Sequence, residues 1–361
     1  MIQWRAGSRD SCSHPTGRLS RISTHHFRGR DKLAHPLSTD SVRSSMSPPS
    51  ESIGRWDSAY HSPVMVEAVL TALGGCRSVL DCTLGGGGHS AALVAAGSRV
   101  VGIDRDPEAL QSALDRLAEA SREGRFSAHL GNYARLDLID ELEGARFDGI
   151  LLDLGISSHQ IDVPERGFTF RIGAPLDMRM GEDVPWTAAE LLNSLSEADL
   201  TDIFREYGDE RRAGRLAREV VRRREKRPFV IADDLVDAIR AVLGAAAGPG
   251  DFARLFQAVR IAVNDELTGL AEALPALRDR LTPGGTLAVI AYHSGEDRLV
   301  KRAFREWSAV CTCPPRQPVC TCRGRALGET LTRRPIGADE SEILQNPRAR
   351  SAHLRLWRSA E

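Results

Sequence analysis

Three sets of polar positions, each at the end of an apolar segment, are the residues best suited to bind a ligand. Four glycines at 85–88 follow R-S-V-L-D-C-T, Asp104 ends R-V-V-G-I-D, and Asp153 stands near the end of F-D-G-I-L-L-D-L. Glycines at a strand-to-helix turn let the backbone approach a ligand where side chains would clash. Asp104 follows Gly85 by about 20 residues, the spacing at which an acid accepts hydrogen bonds from ribose hydroxyls. The pattern indicates a nucleoside site.

The glycine run does not match the common phosphate-binding motifs. No G-K-[ST] follows it, and Ser90 stands where G-x-G-x-x-G requires its last glycine. This favours a nucleoside without phosphates, of which S-adenosylmethionine is the common case, over a pyrophosphate-bridged dinucleotide. A methyltransferase and a nicotinamide-dependent oxidoreductase are the two enzyme hypotheses, and no tyrosine has the lysine four residues on that a dehydrogenase relay uses. An RNA-binding protein on a degenerate sheet would lack the strand-end acids.

These positions require a sheet whose strands end at one edge, and the apolar pattern predicts one. We predict strands at 77–83, 99–104, 147–154 and 285–292, and helices at 90–96 and 107–121. Strands that alternate with helices are typical of a doubly wound parallel sheet, an α/β fold, with its ligand beyond the carboxyl ends of the strands. From Pro164 to about Gly250 the pattern is helical, with capping boxes at Thr187 with Glu190 and at Ser196 with Asp199.

The chain therefore divides into three parts. Residues 59–163 and 251–361 form a discontinuous sheet domain, interrupted by the helical insertion at 164–250. Residues 1–58 are rich in serine and basic residues and have no sustained apolar period, which predicts a disordered N-terminal extension. An organellar transit peptide and a true start at Met46 are the alternatives for this extension.

The composition is that of an ordinary globular protein. Hydrophobic residues make up 42%, charged residues 27%, and the net charge is −1, so no overall cationic field indicates a nucleic-acid partner. No apolar run approaches the ~20 residues of a membrane-spanning helix, and we expect no membrane partner. The 7 cysteines do not resemble a secreted disulfide framework, so we expect a cytoplasmic protein.

Four cysteines crowd into one short segment and form two C-x-C pairs. They are Cys311, Cys313, Cys320 and Cys322, and prolines lie between the pairs. Four thiolates in so short a loop can hold a structural zinc ion, and reduced thiols in a proline-ordered loop are the alternative. Because the C-x-C spacing is shorter than the commoner C-x-x-C, the sequence alone assigns no metal.

Ordered blocks along the chain resemble the bacterial ribosomal RNA small subunit methyltransferase H family. They are H-S-P-V-M from His61, D-C-T-L-G-G-G-G-H-S from Asp81, G-I-D-R-D-P from Gly102, L-L-D-L-G-I-S-S-H-Q from Leu151, P-E-R-G-F-T-F-R from Pro164, L-D-M-R-M from Leu176, F-Q-A-V-R-I-A-V-N-D-E-L from Phe256, Y-H-S-G-E-D-R-L-V-K from Tyr292 and N-P-R-A-R-S-A from Asn346. The resemblance implies a class I methyltransferase (Rossmann-like) fold. It implies methyl transfer from S-adenosylmethionine to N4 of a cytidine in the decoding centre of 16S rRNA. A methyltransferase of the same fold that acts on another RNA or DNA base is the alternative.

The resemblance also implies cofactor-binding residues by position. They are Gly87, Gly88 and His89 in the glycine loop, Asp104 at the ribose, Tyr133 where the family often has phenylalanine, and Asp153 with Gln160 around L-D-L-G-I-S-S. The partner implied is 16S rRNA or the small ribosomal subunit. The sequence leaves the oligomeric state open.

Transfer to an exocyclic amine requires in-line positioning and a hydrogen-bond acceptor for the amine proton. The candidates are Asp153, Ser157 and Ser158, with His293 and Ser294 as second choices. A cofactor-binding role for Asp153 and a structural role for His293 are the alternatives. The widespread amino-methyltransferase signature (D/N/S)-P-P-aromatic is absent. The N4 target therefore rests on the resemblance.

Binding to RNA requires a local cationic surface, and the insertion contains one candidate. Arg211, Arg215, Arg218 and Arg222 recur at the spacing of one helix face. Such a stripe can neutralise phosphates, and a solvated face paired with nearby acids is the alternative. Phe168 and Phe170 can stack on a splayed base or pack in the core.

Overall fold

The computed structural model describes residue 56 and residues 62–314, 316–317 and 319–361, without the side chain of Ser158. The predicted extension at 1–58 lies outside these residues, apart from Trp56. The described residues belong to one compact unit.

Five parallel strands form the first part of a mixed sheet, in the order β3-β2-β1-β4-β5. They are β1 (Ser78–Asp81), β2 (Arg99–Asp104), β3 (Phe126–Leu130), β4 (Phe147–Asp153) and β5 (Leu281–Ala291). The helices that connect or precede them are α1 (Val66–Leu73), α2 (Gly88–Ala95), α3 (Pro107–Arg116), α4 (Ala118–Arg122) and α5 (Ser158–Asp162). Most residues of β1 and β4 are buried, because helices cover both faces of the sheet. The carboxyl ends of these strands share one edge.

The rest of the sheet is antiparallel, which differs from the predicted parallel sheet. Strand β8 (His353–Ser359) pairs antiparallel with β5 and carries β6 (Gly328–Thr330) and β7 (Ile336–Gly337). The helices α12 (Ser294–Trp307) and α13 (Glu340–Gln345) lie in this part of the chain. The indole of Trp357 is fully buried with its ring centroid 5.2 Å from that of Trp307. Burial of these aromatic rings stabilises the antiparallel part.

The segment between β4 and β5 is helical, as predicted. It contains α6 (Ala188–Ser194), α7 (Glu197–Asp202), α8 (Ala213–Arg224), α9 (Ala232–Leu243), α10 (Pro249–Asn264) and α11 (Glu266–Arg278), with a π-helical turn at Ile203–Tyr207. Thr187 and Glu190 form the predicted capping box. The box predicted at Ser196 and Asp199 is incomplete, because Ser196 caps α7 but the Asp199 carboxylate accepts from the Ser196 hydroxyl rather than from its backbone N–H. These helices build their own apolar core, which continues through Val263 in α10. The boundaries of a separate insertion domain at 164–250 stay a prediction.

The predicted elements are present, but several bounds differ and four strands, β3, β6, β7 and β8, were not predicted; β5 begins at Leu281 rather than at 285. Strand β2 has the predicted bounds. The predicted helix at 107–121 is broken at Leu117, where φ is −104° and ψ is 21°, so α3 and α4 are separate. Strand β3 was not predicted, because its sequence F-S-A-H-L has only a weak apolar pattern. No helix among the described residues is long and apolar enough to cross a bilayer.

Candidate functional site

A cavity of about 400 Å³ opens at the carboxyl edge of the parallel strands. Its walls come from the ends of β1, β2, β4 and β5 and from the helical segment. The volume lies within the ordinary range of small-molecule sites. Of the predicted site residues, Gly88, His89, Asp104, Tyr133, Asp153, Ser157 and Gln160 line this cavity.

The glycine loop contains glycines with different structural roles. Gly85 has a φ of +51°, and a Cβ there would meet no protein atom within 4 Å, so its missing side chain leaves the cavity open. Gly87 has a φ of +73° and lies against α3, where a Cβ would be 3.1 Å from that of Ala113. A Cβ on Gly88 would lie 2.7 Å from Cγ of Pro63. Packing thus requires glycine at 88, a positive φ favours glycine at 85 and 87, and the contact with Ala113 adds to the preference at 87.

Asp104 is held rigidly at the end of β2. Its Oδ2 accepts a hydrogen bond from the backbone N–H of Gly85 at 2.7 Å, and its Oδ1 accepts one from the backbone N–H of Asp106 at 2.9 Å. Burial raises the pKa of this carboxyl to about 6, although both N–H donors lower it. Each carboxylate oxygen retains a lone pair for a further donor, so the group can accept ribose hydroxyls.

Asp153 lies at the centre of a hydrogen-bonded group at the end of β4. Its backbone N–H donates to Oγ1 of Thr83 at 2.7 Å, and its Oδ1 accepts from the Tyr292 hydroxyl at 2.8 Å. Oδ2 lies 3.8 Å from Nδ1 of His89, whose Nε2 is 2.8 Å from the carbonyl oxygen of Val64. Because a carbonyl oxygen can only accept, Nε2 carries the hydrogen and donates a hydrogen bond to it. Burial raises the pKa of Asp153 to about 6, although His89 and Tyr292 lower it.

Gln160 and Ser157 form the capping box of α5. The Gln160 backbone N–H donates to Oγ of Ser157 at 3.2 Å, and Oε1 of Gln160 accepts from the Ser157 backbone N–H at 3.1 Å. Nε2 of Gln160 donates to Oδ2 of Asp106 at 3.0 Å. Ser158 is the first residue of α5, and its side chain lies outside the described part of the structure. These bonds fix the loop that follows Asp153.

His293 does not line the cavity and instead caps α12. Its Nδ1 accepts from the backbone N–H of Gly295 at 3.2 Å. Its buried Nε2 lies 3.1 Å from Oε1 of Glu296. Glu296 does line the cavity, where its Oε2 accepts from the backbone N–H of Tyr292 at 2.8 Å. This placement supports the structural interpretation of His293.

An ion pair joins the strand edge to the helical segment across the cavity mouth. Nη2 of Arg105 lies 2.6 Å from Oδ2 of Asp183, which also accepts from the Asn132 side-chain amide at 3.0 Å. The buried side chain of Asn264 accepts from the backbone N–H of Met180 at 2.8 Å. These contacts fix the segment around 180–185 as one wall of the cavity.

Tyr133 lines the cavity on the side of α11. Burial raises the pKa of its phenol well above the ordinary value, with the charge of Glu266 adding to the rise. Glu266 also lines the cavity and forms a bidentate ion pair with the buried Arg260, with both N–O distances at 2.8 Å. The phenol therefore stays protonated and presents an aromatic face and a donor.

The predicted arginine stripe lies on the exposed face of α8 and the turn before it. Arg211, Arg215, Arg218 and Arg222 are all exposed. Arg218 lies 3.4 Å from Glu197, and Arg222 lies 2.6 Å from Glu219. Within the described residues, no acid pairs with Arg211 or Arg215. Arg218 and Arg222 thus match the alternative of a solvated face paired with acids, whereas Arg211 and Arg215 are available to contact a phosphate.

The two candidate stacking residues lie outside the cavity. Phe168 is 9% exposed and belongs to the helical core. Phe170 is 37% exposed, and its ring meets the edges of Phe252 and Phe256 with centroids 5.9 and 6.0 Å apart. Core packing therefore accounts for Phe168 and for most of the Phe170 surface.

Sequence reasoning missed several residues of the cavity wall, among them Arg105, Asn132, Asp183, Tyr292 and Glu296. Tyr292 directly follows β5 and Glu296 lies in the first turn of α12, so the strand-end argument applied to β5 could have found them. Asp183 comes from the helical segment, and no local pattern marks it. The S-x-x-Q spacing at 157–160 is a capping-box pattern that identifies the role of Gln160.

The chain is similar over most of its length to one family model and to named proteins. The model of the MraW methylase family matches residues 58–360. The chain is 66% identical over 301 residues to the protein of Gemmatimonas aurantiaca named ribosomal RNA small subunit methyltransferase H, with 83% of this chain and 96% of that protein covered. A protein of the same name from Heliobacterium mobile is 48% identical, with 82% of this chain and 98% of that protein covered.

Among solved structures, one described as an rRNA methylase from Streptococcus thermophilus aligns with 82% of this chain and 94% of its own. The sequence identity is 11% and the TM-score is 0.36.

Proposed function

The chain belongs to the MraW methylase family, and from this we propose that it methylates N4 of a cytidine in the decoding centre of 16S rRNA, with S-adenosylmethionine as methyl donor. Relatives that cover most of the chain are named small subunit rRNA methyltransferases. The observation that carries the proposal is the cavity at the strand edge, where Asp104 and Asp153 face one space.

The residues of this cavity fit the cofactor. Asp104, with its oxygens fixed by two backbone N–H groups, would accept the ribose hydroxyls. The absent side chain at Gly85 leaves room beside the loop, and Tyr133 would pack against the adenine. Bound S-adenosylmethionine supplies a methyl group that its sulfonium has already activated. The task of the protein is then to hold the amine in line and to receive a proton.

Asp153 is the residue that we propose as the proton acceptor. With a pKa of about 6 it is ionised at neutral pH, yet it is basic enough to take a proton from the amine as the new N–C bond forms. The Tyr292 hydroxyl occupies one face of Oδ1 and fixes the orientation of the carboxylate. Ser157 lines the same cavity and would bind the base rather than receive the proton.

The RNA would lie across the exposed face of α8. Arg211 and Arg215 would contact phosphates, which contribute affinity without sequence specificity. We propose the small ribosomal subunit as the partner, and a cytoplasmic location follows from that partner.

The test uses small ribosomal subunits from cells that lack the activity, labelled S-adenosylmethionine, and mass spectrometry of the nucleosides. We expect N4-methylcytidine at one decoding-centre site. Asp153→Asn should lower the rate of product formation by about 100-fold or more, and the exposed Asp137→Asn should not. A methylated base of another kind, or no transfer to the subunit despite cofactor binding, would contradict the proposed substrate.

A further inference from the structure

The loop between α12 and β6 gathers four sulfur atoms into one cluster. The cysteine cluster consists of Cys311, Cys313, Cys320 and Cys322, and all four sulfurs lie within 4.8 Å of one another. Cys320 lies 3.9 Å from Cys311, 3.8 Å from Cys313 and 3.5 Å from Cys322, and Cys322 lies 3.8 Å from Cys311. The cluster lies at the opposite end of α12 from Glu296, so it is separate from the cavity.

These separations are those of a tetrahedron around one metal ion. Zinc binds thiolate sulfur at about 2.3 Å, and a regular tetrahedron with that radius has edges of about 3.8 Å. A polynuclear iron–sulfur cluster holds its cysteines further apart, across the width of the cluster. Four sulfurs within 4.8 Å therefore fit a single ion.

Packing does not explain the convergence of the sulfurs. Cys311 and Cys320 are exposed, and Cys313 and Cys322 are only partly buried, so no apolar core gathers them. The backbone N–H of Thr312 points at the Cys322 sulfur at 3.3 Å. Backbone donors of this kind stabilise the negative charge of metal-bound thiolates.

We propose that the cysteine cluster is a structural zinc site. Four soft thiolates in tetrahedral positions fit zinc, and with four protein ligands no position remains open for substrate. Binding of Zn²⁺ displaces the four thiol protons and leaves a ZnS₄ centre with a net charge of −2.

The zinc site would fix the C-terminal end of α12. Arg323 directly follows the last cysteine of the cluster, and its guanidinium donates to the carbonyl oxygens of Ala309 at 3.0 Å and Trp307 at 3.4 Å. These carbonyls lie at the end of α12, where a cation is favourable. The ordered loop thereby holds Arg323 in place and supports the aromatic packing of Trp307 on Trp357.

The experiment measures metal in the full chain purified under reducing conditions without added zinc or chelator. Elemental analysis should find one zinc per chain, and a mercurial titration should release it as four thiols react. Exchange with Co²⁺ should give the visible and near-ultraviolet bands of a tetrahedral four-thiolate centre. Cys313→Ser and Cys320→Ser should lose the zinc, and Cys76→Ser, which changes a cysteine outside the cluster, should retain it.

The cobalt spectrum of the unaltered chain does not depend on whether the serine variants fold. Absence of both zinc and a cobalt spectrum in the reduced chain would overturn the site. Iron in place of zinc would overturn the metal, and zinc retained by both serine variants would overturn the ligands. None of these results depends on the proposed methyl transfer.

Discussion

Replacement of Asp153 by asparagine should make the protein more stable at neutral pH while it removes activity. The carboxylate is 9% exposed, and its pKa is raised from 3.8 to about 6. The rise corresponds to about 3 kcal/mol that the ionised group costs the folded protein at pH 7. Asparagine has nearly the same shape, can still accept the Tyr292 hydroxyl, and carries no charge. We therefore expect the unfolding free energy of Asp153→Asn to exceed that of the original protein by up to about 3 kcal/mol.

The pH dependence of the stability difference shows whether ionisation of Asp153 causes it. Below the unfolded value of 3.8 the acid is protonated in both states, so it costs nothing; above about 6 it is ionised in both, and the full cost is present. Urea unfolding of the two proteins from pH 4 to pH 7.5 should therefore show a stability difference that grows from near zero to its full value. Acids remote from Asp153 titrate alike in both proteins and cancel in the difference, whereas the charges of Asp81 and Glu296, which interact with Asp153, add to it. The melting temperature at pH 7 should rise by on the order of 5 °C.

Activity should change in the opposite direction. Loss of the proton acceptor should lower methyl transfer at saturating donor by about 100-fold or more. The exposed Asp137→Asn should change stability by less than about 0.5 kcal/mol and leave transfer intact. If Asp153→Asn is less stable than the original protein at pH 7, or has the same advantage at pH 4, ionisation of Asp153 does not destabilise the folded protein.

Three further predictions concern the cofactor and the RNA. Asp104→Ala should weaken S-adenosylmethionine binding by roughly 10-fold to 100-fold in calorimetry, since hydrogen bonds to a charged group contribute about 1.5 to 3 kcal/mol; unchanged affinity would remove Asp104 from the ribose site. Gly85→Ala should cost about 1 to 2 kcal/mol of stability because φ is +51°, and its methyl group should also weaken cofactor binding; full affinity would show that the ligand does not approach this turn. Charge reversal of Arg211 and Arg215 should weaken RNA binding and reduce its salt dependence without changing cofactor affinity, whereas Arg99→Glu, at the opposite end of β2, should not; equal effects would assign the loss to net charge alone.

The parts of the fold that were predictable depend on local pattern. The bounds of β2, the glycine turn after β1 and the two acids at strand ends all follow from apolar runs that stop at polar residues. Parallel strands bring such ends to one edge, so the sequence alone is enough to place Asp104 and Asp153 together. The capping boxes at 187–190 and 157–160 are local for the same reason.

The parts that were not predictable depend on distant contacts. Asp183 reaches Arg105 across 78 positions of sequence, and nothing near either residue marks the partner. Strand β8 pairs antiparallel with β5, and its Arg355 is buried only because Asp297 neutralises it at 2.6 Å. His293 follows a strand as a catalytic residue would, but its ring accepts a backbone N–H at the start of α12. Polar residues at strand ends thus identify the edge, whereas tertiary contacts decide which of them face the ligand.

Residues of the sheet and of the helical segment line the same cavity, which limits how parts of this enzyme can be exchanged. The helical segment contributes Met180, Asp183 and Val184 to the wall of this cavity. A helical segment transplanted from a relative, to redirect the enzyme to another target, would therefore carry part of the cofactor pocket with it. On the proposed roles, target choice and donor binding would be inherited together, and a successful exchange must preserve the Arg105–Asp183 pair between the sheet and the segment.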